Sequence, residues 1–440
     1  MESYFHEVTD RLSGLLRADE VYLANFHGEQ SDFVRFNQGR VRQAGTVETR
    51  ALSVDLVRGR RHAAGSISLA GDAEIDGARV ARLVDSLREQ YALVPEDPHL
   101  LYATESGWSA RRVESRLLTG NEAVEEIQNA ARGRDLVGIY AAGGVYCGFA
   151  NSLGQRNWYA NGSFNLDWSF VHSADKAVAT NYAGFEWSHA AFERKVESAL
   201  TQLELTSQPP RTVEPGRYRV YLAPAAFADF LALLGWGGFG LRAHRNKTTP
   251  LLRMREEELR LHPEVCLTEN SRDGFAPDFQ EEGFRRPDRV SLIDGGAYRD
   301  CLASPRSAAE FGVPTNGACA SEMPQSLDVG AGNIASDDVL DVLDKGIFIG
   351  NVWYLNYSDR AACRTTGMTR FATFWVENGR LQAPLNVMRF DETVYRMLGE
   401  NLIGFTDGRE WILDSSTYSQ RSTASTRLPG ALVDDFTLTL

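Results

Sequence analysis

Lysine is almost missing from this 440-residue chain. Lys176, Lys195, Lys247 and Lys345 stand beside 42 arginines. The skew points first to a GC-rich genome and second to sites where a guanidinium grips a carboxylate through two parallel hydrogen bonds. Positive charge as a whole is also short. The 59 acidic residues outweigh 46 basic ones, for a formal net charge of −13. That balance tells against a protein built mainly to hold nucleic acid or anionic lipid, both of which require a basic footprint. The five cysteines, Cys147, Cys266, Cys301, Cys319 and Cys363, form no Cys-x-x-Cys pair. An odd, scattered set does not suggest a disulfide framework and points to a reducing compartment. The first residues, Met-Glu-Ser-Tyr-Phe-His-Glu-Val, carry acids and no apolar core, so no signal peptide is expected. The one tempting apolar run, Val220 to Leu241, is broken by Pro224, Asp229 and four glycines. A mid-span aspartate alone costs about 2.5–3.5 kcal/mol on insertion. A buried strand, helix and loop are expected there, in a soluble, cytoplasmic protein.

Standard catalytic signatures are missing too. There is no GxSxG elbow and no GxxxxGK[ST] loop. The run Gly235-Trp-Gly-Gly-Phe-Gly240 follows a helix and lacks the Lys-Ser/Thr of a phosphate loop, so it reads as a bend or a close packing contact. No HExxH occurs, and the eight histidines show no i, i+4 or i, i+5 pair. Local histidine pairs are the best sequence sign of zinc, which needs three or four convergent ligands. His244, flanked by Arg242, Arg245 and Lys247, belongs either to a cationic loop that grips a carboxylate or to a solvated loop. Glu256-Glu-Glu258 reads as a solvated face, and Asp278 to Gly283 as a metal or acid-base site or, more often where such a run has no partners, a polar turn. Ser415 to Thr426, rich in Ser and Thr, is a flexible loop or a polar lining near a cleft.

What is present is an ordinary globular composition, with 43% hydrophobic residues and material for two to four domains. A helix is expected from about Ser3 to Leu16, then strands at 21–25, 32–36 and 40–43. A longer strand carrying Leu52, Val54 and Leu56 follows, then one at 63–69 and a helix from about Gly77 to Ala92. The pattern recurs with a helix at about 121–132 and strands at 136–142, 148–152, 156–159, 163–172 and 177–182. A helix from Ser188 closes it. In Ser163 to His172, Phe164, Leu166, Trp168 and Phe170 alternate with polar residues, which predicts one apolar and one wet face. Sliding the chain by 116 positions lays Phe33 on Phe149, Arg40 on Arg156, Leu52 on Trp168 and Val54 on Phe170. Either a weak internal repeat or the common look of any two meanders accounts for this. The segment Ser207 to Gly216, with three prolines, marks a linker. Beyond it short strands alternate with Gly-, Asp- and Asn-rich loops, with helices at about 225–234, 307–311 and 336–343. The expected class is α+β. An N-terminal α/β domain, 1–206, contains two helix-meander units (about 1–95 and 115–206), and a mostly antiparallel β domain spans 217–440.

The order of several segments resembles the TldD/PmbA (TldE) family, also called the modulator-of-gyrase family. These are Ser31 to Arg42, Tyr218 to Pro224 with its apolar helix, Phe279 to Gly283, Val290 to Gly296, Ala308 to Gly312, Pro314 to Gly317, Lys345 to Ile349, and Phe371 to Gly379. Each is weak alone; their order and spacing cover nearly the whole chain. The resemblance implies a two-subunit metallopeptidase. One subunit type carries an HExxxH helix, in which two histidines and a late cysteine bind the metal and the glutamate is the general base. The other type lacks these residues and pairs with the first.

At the corresponding helix this chain has Ala232-Leu-Leu-Gly-Trp-Gly237, so Ala232, Leu233 and Gly237 stand where the ligands and base would be. No cysteine follows Cys363, and the stretch that would supply the late thiolate reads Thr417-Tyr-Ser-Gln-Arg421. The resemblance therefore implies the metal-free TldE/PmbA type. No catalytic residue or metal ligand is expected in this chain, and zinc is expected in a catalytic partner. The partner is either an HExxxH-bearing TldD-like subunit in a heterodimer or a second copy in a homodimer. The substrate is an unfolded or extended peptide, with neither nucleic acid nor membrane involved. Arg242, His244 and Arg245, just after the degenerate helix, are the candidate substrate- or partner-binding residues. Two alternatives stand: a stand-alone biosynthetic hydrolase or amidase with Cys363 as nucleophile, its thiol activated by flanking arginines, and a homodimeric scaffold or binding protein.

Overall fold

In the computed structural model the described residues are 1–173, 176–417 and 420–440. The first half contains α1 (Glu2–Ser13), β1 (Glu20–Asn37), β2 (Arg40–Arg58), β3 (Arg61–Ser68), α2 (Ala73–Tyr91), β4 (Gly107–Val113), α3 (Gly120–Ala130), β5 (Asp135–Asn151), β6 (Gln155–Ser173), β7 (Lys176–Gly184) and α4 (His189–Thr206). The second half opens with β8 (Gly216–Leu222), α5 (Pro224–Gly235), α6 (Leu241–Arg245), α7 (Leu252–Arg255), β9 (Leu267–Glu269), β10 (Val290–Asp294), β11 (Ala297–Tyr298) and α8 (Pro305–Phe311). It continues with β12 (Ser326–Val329), α9 (Val339–Leu343), β13 (Gly346–Asp359), β14 (Arg364–Glu377), β15 (Arg380–Pro384), β16 (Arg389–Thr393), α10 (Val394–Met397), β17 (Leu402–Leu413) and β18 (Ser425–Leu438). The class is α+β, as expected.

The first sheet runs β3-β2-β1-β5-β6-β4, with β7 also paired to β6. Helix, three-strand antiparallel meander and helix occur twice, as α1-β1-β2-β3-α2 and α3-β5-β6-β7-α4. A shift of 116 preserves the facing. Leu52 and Val54 lie beneath α1 and α2, and Trp168 and Phe170 beneath α3 and α4. The helices start where capping chemistry allows. Asp72 accepts from the amides of Glu74 and Ile75, Thr119 forms a capping box with Glu122, and Ser188 accepts from the amide of Ala191.

Two expectations change. The strands at 21–25 and 32–36 are one strand, β1, and those at 40–43 and 52–56 are one strand, β2. Likewise 136–142 and 148–152 fuse into β5, and 156–159 and 163–172 into β6. Polar stretches such as Glu29-Gln-Ser-Asp32 read as breaks, yet ladder hydrogen bonds to both neighbours carry the strand through them. The second change concerns the polar face of β6. It meets water only in part: Asp167 is exposed and Ser169 half-buried, whereas Asn157, Asn161, Ser163 and Asn165 are buried.

In the second sheet β8 pairs parallel to β13 and antiparallel to β18. This closes β18-β16-β14-β13-β8 into a ring. Helix α5 packs against it, with Phe230 meeting Phe390 and Phe436, and Phe227 stacked on Phe405. The apolar run 220–241 is thus a buried strand, a buried helix and a loop. Among the described residues no helix is long and apolar enough to cross a membrane.

Candidate functional site

Helix α5 begins with Pro224 in its first turn, where a missing N–H costs nothing. It buries Ala226, Phe227, Ala228, Phe230, Leu231, Leu234 and Gly235. That nearly all-round burial explains why no single apolar stripe marks it in the sequence. Its one open stripe, at i, i+4, i+7 and i+11, is Ala225, Asp229, Ala232 and Trp236. Ala232 is exposed, Leu233 is half-buried, and the helix stops at Gly235. Gly237 lies beyond it with φ +78°, in the left-handed region. The side chains at Ala232, Leu233 and Gly237 offer no donor atom, so they do not fit a zinc ion.

The helix end is closed by a distant part of the chain. The Tyr357 hydroxyl donates to the Leu233 carbonyl at 3.1 Å, and Arg360 Nη2 donates to the Trp236 carbonyl at 2.8 Å. Arg360 Nε donates to Thr248 O at 2.9 Å, and the guanidinium lies over the rings of Trp236 and Tyr357, 5.6 and 5.0 Å from their centroids. A cation that satisfies carbonyls at a helix C-terminus also complements the dipole. On the open stripe, burial pushes the Asp229 carboxyl up to about 6, although solvent still reaches the side chain.

The structure separates the three predicted binding residues. His244, on α6, is 1% exposed. Its Nε2 donates to the Gly238 carbonyl at 2.8 Å, a carbonyl that also accepts from Thr249 Oγ1 at 3.0 Å, while Nδ1 has no partner. Burial, more than the nearby Arg255, lowers its pKa to about 4, so the ring is neutral. Arg242 and Arg245 are at the surface, Arg242 with Nε 4.0 Å from the Glu310 carboxylate. Cys363 is buried, and burial pushes its thiol up to about 12, the opposite of an activated nucleophile.

The Ser/Thr-rich stretch forms the β17–β18 connection and reaches the first sheet. Tyr418 and Ser419 lie outside the described residues, but Arg421 inserts among β1, β5 and β6. Its guanidinium donates to Ser163 Oγ (2.8 Å), Ser163 O (3.0 Å), Ser31 Oγ (3.3 Å) and Gly143 O (3.3 Å), and its amide to Glu29 Oε2 at 2.9 Å. Around it the odd positions of β6 hold backbone of the second half. Tyr159 Oη and Asn161 Nδ2 both donate to Phe275 O, at 2.8 and 3.1 Å, and Asn165 Nδ2 donates to Asp414 O at 3.4 Å. Neither Arg421 nor Glu29 was singled out from sequence, since 392 residues separate them. Asp278, in the acidic turn, pairs with Arg285 at 3.0 Å. Among the described residues no three His, Cys, Asp or Glu side chains converge on a point where a metal could sit.

The chain belongs to the PmbA/TldA metallopeptidase family: residues 215–440, half of its length, match the model of the PmbA/TldA metallopeptidase C-terminal domain. Its fold is that of TldE from Thermococcus kodakarensis (13% identity, TM-score 0.77, covering 99% of this chain and 100% of that one). It is also that of a protein described as a candidate modulator of a DNA gyrase from Thermotoga maritima (15% identity, TM-score 0.76, 99% and 100%). A third structure, a candidate modulator of DNA gyrase from Bacteroides thetaiotaomicron, shares 15% identity with a TM-score of 0.73 over 99% and 98%. No curated protein sequence matches the chain.

Proposed function

We propose that this chain is the metal-free partner subunit of a two-subunit metallopeptidase, completing the chamber in which a catalytic subunit cleaves unfolded or extended peptides. The observation that carries the reading is at α5. In a family described as metallopeptidase, the helix here ends at Gly235, and Ala232 and Leu233 on it and Gly237 beyond it stand where a metal helix needs nitrogen and carboxylate donors. Zinc then belongs to an HExxxH-bearing partner, and this chain supplies walls rather than chemistry. The division into units 1–206 and 217–440 and a cytoplasmic setting belong to the same reading.

The test is metal analysis of the purified full-length chain, followed by peptide cleavage assays with and without an HExxxH-bearing relative encoded in the same genome. Substoichiometric zinc and cleavage only by the mixture are expected. Stoichiometric zinc, or cleavage by this chain alone, overturns the reading. A stable homodimer that ignores the relative favours the scaffold alternative.

A further inference from the structure

The β13–β14 ribbon carries a cluster that the fold does not need. Trp353 is 51% exposed, Tyr354 74% and Phe371 42%. The Arg370 guanidinium lies over Trp353 and Phe371, 4.3 and 4.9 Å from their centroids, and the Trp353 and Tyr354 rings are 5.7 Å apart. These side chains are therefore contiguous. With aromatic side chains of about 150–250 Å² each, the exposed fractions leave roughly 300–400 Å² of aromatic surface in water. That equals the largest apolar patch of a typical monomer, and such patches mark binding surfaces.

The backbone gives a second, independent sign. Tyr354 has φ +58° and Phe371 φ +51°, a left-handed conformation that bulky residues rarely adopt. Register shifts between Ile349 and Asn351 and between Trp353 and Asn356 accompany them. Bulges re-aim side chains, and here the strained positions hold aromatics that face solvent. Tyr354 in particular gains little burial within the chain to offset that strain.

Charge fixes the occupant. Arg370 makes no ion pair and no side-chain hydrogen bond among the described residues, so its N–H donors await an acceptor. Its close neighbours on this face are the Trp353 and Phe371 rings. Packed on itself across a two-fold axis, the patch would meet only the same aromatic and arginine side chains, and Arg370 would gain no acceptor. An anionic membrane suits an aromatic-arginine face, but a chain of net charge −13 is repelled by it. We propose that Trp353, Tyr354, Arg370 and Phe371 form the surface on which a different protein chain docks by placing a carboxylate on Arg370 and apolar surface on the rings. Resting on the partner-subunit reading, that chain is the HExxxH-bearing subunit.

The experiment mixes the full-length chain with that relative and measures the complex by sedimentation velocity and titration. Arg370→Glu and the double variant Trp353→Ser, Phe371→Ser are compared with Leu93→Ser, which removes an exposed apolar residue of the first half. Circular dichroism and melting curves confirm that each variant is folded. Both patch variants are expected to weaken the complex at least tenfold, on the scale of desolvated hot spots, and Leu93→Ser to leave it unchanged. A complex that forms but ignores both patch variants overturns the surface alone. No complex with the wild-type chain overturns the partner-subunit reading and the occupant together. Binding to phosphatidylserine vesicles that is lost in the double variant assigns the patch to a membrane and overturns the proposal.

Discussion

Arg421 Nη2 donates to the Ser163 hydroxyl at 2.8 Å, and this pair joins a loop near the chain's end to the middle of the first sheet. The guanidinium is buried, and its positive charge is balanced by hydrogen bonds to hydroxyls and carbonyls rather than by a direct ion pair. Removing it strands Ser163, Ser31 and the Gly143 carbonyl. Hydrogen bonds to charged groups are worth about 1.5–3 kcal/mol each, and their loss is only partly offset by water entering the gap. Arg421→Ala is therefore expected to lower the urea midpoint strongly. Arg421→Lys, with one point charge in place of a planar fork, is expected to fall between. Equal midpoints for wild type and Arg421→Ala would show that the loop contributes nothing to docking the halves.

Gly143 tests the same junction from the other side. It has φ +148°, and a Cβ there would lie 2.1 Å from Gln30 O and 2.7 Å from Ser31 Cα. Both are backbone atoms of the paired strand β1, so neither can swing aside. Gly143→Ala is expected to destabilise by about 1–3 kcal/mol, as overpacking does. Gly45→Ala, where a Cβ meets nothing within 4 Å, is expected to stay within about 0.5 kcal/mol of wild type. Paired denaturation curves decide it.

His244 makes stability depend on pH. Its pKa falls from 6.5 in the unfolded chain to about 4 in the folded protein. The folded state resists the proton that the unfolded state accepts, so the full contribution is present above pH 6.5 and is lost as pH drops through about 4. Such a difference corresponds to about 3 kcal/mol at the acid end. His244→Asn is expected to flatten the fall in urea midpoint between pH 7 and pH 4. An identical pH slope in wild type and variant would mean that the ring is not neutral in the folded state.

Much of this was readable from residues. The capping residues Thr119 and Ser188, the Phe164 to Phe170 alternation and the apolar helix after Pro224 each act through neighbours in sequence. The polar face of β6 is wet at Asp167 but covered from Asn157 to Asn165; alternation reports only which face is apolar and not what covers the other. The missed clue is in the kind of polar residue. Asn157, Asn161, Ser163 and Asn165 are neutral donors suited to backbone carbonyls, whereas solvent faces favour charge. The closure of α5 by Tyr357 and Arg360 leaves no local pattern, since these residues lie 124 positions from the carbonyls they satisfy.

That closure bears on whether the metal site could be restored. Writing Ala232→His, Leu233→Glu and Gly237→His recreates the HExxxH letters, but not its helix, which ends at Gly235. A side chain at Gly237 must adopt φ +78°, at about 1–2 kcal/mol for a residue with a Cβ. It also meets Arg360: a Cβ there would lie 2.5 Å from the Nη2 that holds the Trp236 carbonyl. The second histidine therefore competes with the group that ends the helix, and the two imidazoles are not held in one geometry. Zinc binding needs three or four convergent ligands. The triple variant is expected to bind zinc weakly and below one ion per chain in equilibrium dialysis, and to melt below wild type. Adding Arg360→Ala frees the space at Gly237 and is expected to raise zinc affinity while lowering stability further. One tightly bound zinc in the triple variant would show that the helix end rearranges readily, and that the three letters alone separate the metal-free chain from a metal-binding one.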